Sequence, residues 1–96
     1  MEVLTIQKGN IYISSAQYET YFGGVEAVVL LKRENVFLLM PVQNASGGLL
    51  LKIRNADGDR VVHAAEFFML NDVECQEPRS VDASWNTDLA ALILNI

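Results

Sequence analysis

Ninety-six residues, 51% of them apolar and eight aromatic, are enough for one small domain with a core of its own, which excludes a disordered tail. A net charge of −5 weighs against a broad electrostatic grip on nucleic acid or anionic membrane, because both require an excess of Lys and Arg on the contact face.

Taken in chain order, Val3-Leu4-Thr5-Ile6 is a short β-type run, and Lys8-Gly9-Asn10 is turn chemistry in which glycine supplies a positive φ. "NIYIS" resumes with β-branched and aromatic residues. Ser14 and Gln17 have the spacing of a capping box, so "SSAQYETYF" is predicted to be a helix of about two turns that stops at Gly23-Gly24. "VEAVVLLK" and "VFLLMPV" then read as a hairpin about Arg33-Glu34-Asn35, with strands buried on at least one face. After Gly47-Gly48, read as a linker, the order begins again. "LLLKIR" is a strand, Asn55 to Gly58 a turn, "DRVV" a strand and "HAAEFFML" a helix. "ECQEPRS" is a polar loop, and "VDASW" and "LAALILNI" form a second hairpin about Asn86-Thr87-Asp88.

Both halves therefore run strand, turn, strand, helix, strand, turn, strand. Gly9, Ala16 and Tyr18 fall on Gly58, Ala65 and Phe67 at an offset of 49, and Val25-Glu26 on Val73-Glu74 at 48. Leu31 to Val42 falls on Trp85 to Ile96 at 54, the six additional residues being Cys75 to Ser80. This order implies an internal duplication, with repeat one over 1–46 and repeat two over 47–96 of a single domain.

A ββαββ unit in which "KGNIYISSAQYETYFGG" leads into "VEAVVLLKRENVFLLMPV" resembles the swapped-hairpin module of the AbrB, MazE and MraZ proteins. The Ile-Pro dipeptide usual at that family's strand-to-helix junction is replaced here by Ile13-Ser14 and Val62-His63. The resemblance implies an α+β, mostly β fold: a small closed or partly open barrel made from two pseudo-symmetric repeats. There is a physical reason for the pairing, since one such unit is too small to bury its own apolar faces. The resemblance also suggests a DNA-binding regulator or antitoxin, whose basic residues on the hairpins and near the helix start would here be Lys8, Lys52, Arg54 and Arg60. Read as residues alone, these four are ordinary solubilising charges, two of them offset by Asp57 and Asp59.

One stretch, "NADGDRVVHAAEF", imitates a calcium-binding loop. Asn55, Asp57 and Asp59 occupy the first three ligand positions and Glu66 the twelfth. Arg60, however, takes the sixth position, where φ must be positive, and the residues before Asn55 are too few for an entering helix. The same turn, strand and helix recur in repeat one without carboxylates, so the favoured reading is a hairpin followed by a helix whose first turn carries Glu66. No metal or other cofactor is expected, and the EF-hand-like site over 55–66 is the alternative.

His63 and Cys75 are each alone of their kind and read as a helix-capping histidine and an inert loop cysteine, not a nucleophile and its base. Tyr18, Tyr21, Phe22, Phe67 and Phe68 are assigned to the core, and so is Trp85, which aligns with Leu31. A single cysteine needs no oxidising compartment, the start has no leader pattern and no apolar run approaches a membrane span, so a cytoplasmic protein off the membrane is expected. The functional expectation is a non-enzymatic module that binds a protein partner or itself, with DNA binding as the alternative.

Overall fold

Strict alternation makes β1 (Glu2–Gln7) a half-buried strand: Leu4 and Ile6 point into the core, and Val3 and Thr5 point away from it. A computed structural model describes residues 2–43 and 48–96, so Gly47 and the expected repeat boundary at 46/47 lie outside the described residues. Lys8 and Gly9, both at positive φ, close a two-residue turn into β2 (Asn10–Ile13). Ser14 then caps α1 (Ser15–Tyr21) by the reciprocal pair its spacing predicts. Its hydroxyl accepts from the Gln17 amide at 3.1 Å, and the Gln17 side chain accepts the Ser14 amide at 2.9 Å. The helix ends at Phe22, one residue before the predicted glycine pair. Gly24, at φ 80°, is the left-handed residue of the following turn, which the Val25 amide closes onto the Phe22 carbonyl.

β3 (Ala27–Arg33) and β4 (Val36–Val42) form a hairpin about Glu34-Asn35. In repeat two, the predicted strand 49–54 is two short pieces, β5 (Leu49–Leu50) and β6 (Lys52–Ile53), separated at Leu51. β7 (Arg60–His63) leads to α2 (Ala65–Leu70), and β8 (Arg79–Asn86) pairs with β9 (Ala91–Asn95). The polar loop is shorter than expected, because Arg79 and Ser80 already pair with Ile6 and Thr5.

All nine strands of the described residues belong to one antiparallel sheet in the order β5-β3-β4-β9-β8-β1-β2-β7-β6. Its two end strands are neighbours in sequence. Leu51 joins them, its amide donating to the Glu26 carbonyl and its side chain buried, and the sheet thereby nearly closes into a barrel. The pairings also survive exchange of the two halves. β1–β2 and β3–β4 recur as β6–β7 and β8–β9; β1–β8 recurs as β5–β3; β2–β7 and β4–β9 map onto themselves. Tyr12 and Val61, equivalent at the offset of 49, face each other directly, as residues beside a twofold axis do. The mostly β fold of two pseudo-symmetric ββαββ repeats is thus present.

Each first hairpin packs against the other repeat's helix. The Gly9 carbonyl accepts the Ala64 amide at 2.8 Å, and the Gly9 amide donates to Cys75 at 2.9 Å. A Cβ at Gly9 would lie 2.4 Å from that of Ala65, so this contact requires glycine for space as well as for its φ. On the other side, the Ser15 amide at the start of α1 donates to Asp59 at 2.8 Å.

Inside the barrel Leu4, Ile11, Val28, Leu39, Val62 and Leu92 are all but fully buried, and Phe22, at the C-cap of α1, and Phe68, in α2, join the same core. Of the five helical aromatics, Tyr18, Phe22 and Phe68 are buried, whereas Tyr21 and Phe67 are half-buried against the core. β4 is paired with β3 along its length and with β9 over Phe37 to Leu39, so that part of "VFLLMPV" lies inside the sheet.

Candidate protein-interaction site

The four basic residues singled out from sequence do not form one surface. Lys8 sits at the tip of the first hairpin, against the loop after α2, where its amide donates to Gln76. Arg60 pairs with the core residue Ile13 across β2–β7, and its guanidinium lies 3.8 Å from the centroid of the Tyr18 ring. It is a packing residue. Lys52 and Arg54 do share an outward position, Arg54 stacked at 4.4 Å over Tyr12, on the flank of end strand β6. Charged residues at such a position also keep an unpaired edge from recruiting another strand.

The oxygen-rich stretch 55–59 is occupied with itself. Asn55 Oδ1 accepts the amides of Asp57 and Asp59 at 3.1 and 3.2 Å, and its Nδ2 donates to Asp59 at 3.0 Å. Asp59 Oδ1 accepts from Ser15, so the carboxylate ties the second hairpin to α1. The Asn55 amide first, then the Ser15 amide and the Arg54 charge, hold the Asp59 carboxyl below its ordinary pKa. Among the described residues no group of three His, Cys, Asp or Glu side chains could hold a metal ion, and Asn55, Asp57, Asp59 and Glu66 are not brought together as ligands. His63 does not cap α2. Ala64 stands at that N-cap with no side-chain bond, because β7 continues through His63, whose Nδ1 lies 2.7 Å from Asn10 Oδ1. Cys75 is a buried free thiol.

A site emerges where the two repeats differ. In repeat one, the crevice between α1 and the β1–β8 pair is filled. Tyr21 stacks on Trp85 with ring centroids 5.4 Å apart and donates to Glu2 at 2.8 Å, and Gln17 donates to Glu2 at 3.2 Å and to the Val3 carbonyl at 2.9 Å. The Tyr21 hydroxyl, followed by the Gln17 amide, lowers the Glu2 pKa, and the same bond to Glu2 raises that of Tyr21. Trp85 lies on the core-facing side of β8 with Val81 and Ala83, as a core-strand residue should, but is only half-buried there and stacks on Tyr21 of the helix.

The corresponding crevice of repeat two lies between α2 and the β5–β3 pair, and it is open. It is a hollow of about 260 Å³ lined by Leu30, Leu49, Phe67 and Leu70 among others. Across the ridge formed by Glu66 and Leu70 lies a second hollow of about 520 Å³, between α2 and the loop 73–76. Met69 and Leu70, on that helix, are 70% and 73% exposed. Acids surround this apolar band: Glu66 and Glu74 line the hollows, and Asp72 and Glu77 are exposed on the same turn and loop. Lys8 and Arg79 bond carbonyls of this same loop, Lys8 through its amide to Gln76 at 3.2 Å and Arg79 through its guanidinium to Glu74 at 3.2 Å.

Sequence reading passed over Met69 and Leu70. "FFML" looks like a helix buried on every side, and only the replacement of Tyr21 and Glu2 in repeat one by Leu70 and Leu49 in repeat two could have signalled an unfilled crevice. Comparison with models of known protein families, with curated proteins and with solved structures gives no match in any of the three. No helix of the described residues is long and apolar enough to cross a membrane.

Proposed function

We propose that this protein is a non-enzymatic cytoplasmic module that acts by binding another protein, through the apolar band over α2. The observation that carries this reading is the exposure of Met69 and Leu70 beside two hollows that share Glu66 and Leu70 in their linings, while the equivalent crevice of repeat one is filled by the chain's own aromatics. An apolar patch rimmed by polar groups is a common form of docking surface. The single cysteine, buried as a free thiol, suits a reducing compartment. The exchange-invariant strand pairing, with each hairpin docked on the other repeat's helix, supports reading the chain as a fused pair of AbrB/MazE/MraZ-like units. DNA binding by Lys52 and Arg54 is the second reading, favoured only by their shared face with Tyr12.

A photo-crosslinking residue placed in cells at position 70, and separately at the exposed Asp88 on the β8–β9 turn, tests the main reading. Discrete protein adducts are expected from position 70 and not from 88. With the purified partner, Leu70→Ser should weaken binding roughly ten- to hundredfold, the worth of one leucine buried at an interface. Equal adducts from both positions would overturn the proposal. A mobility shift that is tight, steeply weakened by salt and abolished by Lys52→Ala with Arg54→Ala would put the DNA reading in its place.

A further inference from the structure

We infer that the partner of the α2 groove is a basic segment anchored by an aromatic side chain; this rests on the binding role proposed above and specifies its chemistry. Two observations lead to it. The first is electrostatic. Glu66 and Glu74 line the hollows, and Asp72 and Glu77 stand exposed close by, outnumbering Lys8 and Arg79 on the same side of the molecule, whose net charge is −5. Two copies of this face docked together would oppose acid to acid, so charge disfavours a second copy of the chain and favours Lys and Arg flanking the anchor. The second is internal. The crevice beside α1, made from the same elements, is closed by Tyr21 stacked on Trp85. Its counterpart beside α2 has Leu70 on the helix and aliphatic residues on β3 and β5, and a volume of about 260 Å³ left open. The chain thus contains, in repeat one, the kind of side chain that fills this shape. An aromatic anchor at the centre of a desolvated patch is also the residue type that contributes most at interfaces.

The test uses the intact protein and three labelled helical peptides of one length, followed by fluorescence anisotropy at low salt. One carries a Trp flanked by lysines, the second has Ala for the Trp, and the third has Glu for the lysines. The first should bind at least about tenfold tighter than either of the others. Leu70→Glu should abolish its binding, and joint Glu66→Gln and Glu74→Gln replacement should weaken it by roughly tenfold while the melting temperature is held. Both variants change exposed positions, so folding is retained; should Leu70→Glu fail to fold, Met69→Glu replaces it. If the lysine peptide binds no better than the glutamate peptide, or the Trp no better than the Ala, this inference is overturned, whereas adducts from position 70 still uphold the binding role. Concentration-dependent dimerisation lost on Leu70→Glu would assign the groove to a second copy and overturn it equally. Absence of both peptide binding and adducts would overturn both.

Discussion

Single residues show how this chain uses polar chemistry to hold two repeats together. Asp59 bonds the Asn55 side chain and the first amide of α1, and its pKa is lowered by those contacts. A carboxyl whose pKa is depressed on folding contributes stability above its unfolded value and loses it as pH falls through the lower folded value. Acid melts followed by circular dichroism should therefore show a shallower loss for Asp59→Asn than for the wild type below the ordinary aspartate range. Tyr21 behaves oppositely. Its pKa is raised, so its bond to Glu2 is fully present below the ordinary tyrosine value and is lost as alkali ionises the phenol. Glycines give a sharper contrast. Gly9→Ala places a methyl group 2.4 Å from Ala65 at φ 77° and should cost at least about 2 kcal/mol in urea melts. Gly24→Ala has a similar φ of 80° but open space around it, and should cost only about 1 kcal/mol. Equal losses would mean that the Gly9–Ala65 approach is not specific. At this scale the sequence was half legible. The spacing of Asn55, Asp57 and Asp59 showed oxygen-rich turn chemistry, but not that Asn55 turns its oxygen toward its own backbone.

Among the elements, the local ones were the most readable. The Ser14–Gln17 capping box forms as spaced, and Ser14→Ala should cost about 1 kcal/mol, measured by thermal melts. α2 has no such side chain at its N-cap, and the Gly9 carbonyl from the other repeat instead takes the Ala64 amide. No reading of "HAAEFFML" alone could find that, because the acceptor lies in a different half of the chain. The two first hairpins make the same point. Ile6 and Ile53 follow the same strand alternation, yet Ile6 is fully buried and Ile53 is 70% exposed. The difference lies in the neighbours: β1 is flanked by β8 as well as β2, whereas β6 has only β7. Periodicity specifies which way a side chain points, but only pairing decides whether anything covers it. The groove beside α2 escaped for the same reason, since it is defined by what β3 and β5 do not supply.

For the whole molecule, closure depends on both halves. β1 completes its pairing on β8, β5 sits on β3, and β2–β7 and β4–β9 tie the repeats directly. A chain cut within 44–47 and separated into its two pieces should therefore give two largely unfolded peptides. Mixing them in equal amounts should restore the β-sheet circular dichroism spectrum, and independent folding of either piece would contradict this interdependence. The duplicated order of elements was visible in the sequence because turns and helix signals recur at nearly constant offsets. The difference between the two copies was not, because it lies in crevices between elements. On the binding role proposed above, that difference sets the valence of the molecule. A barrel with two identical halves would carry two grooves and could bridge a pair of partners into chains. Here Trp85 and Tyr21 fill one of the two crevices, so a protein acting in that role would end an assembly instead of propagating it, and titration should give one partner per chain.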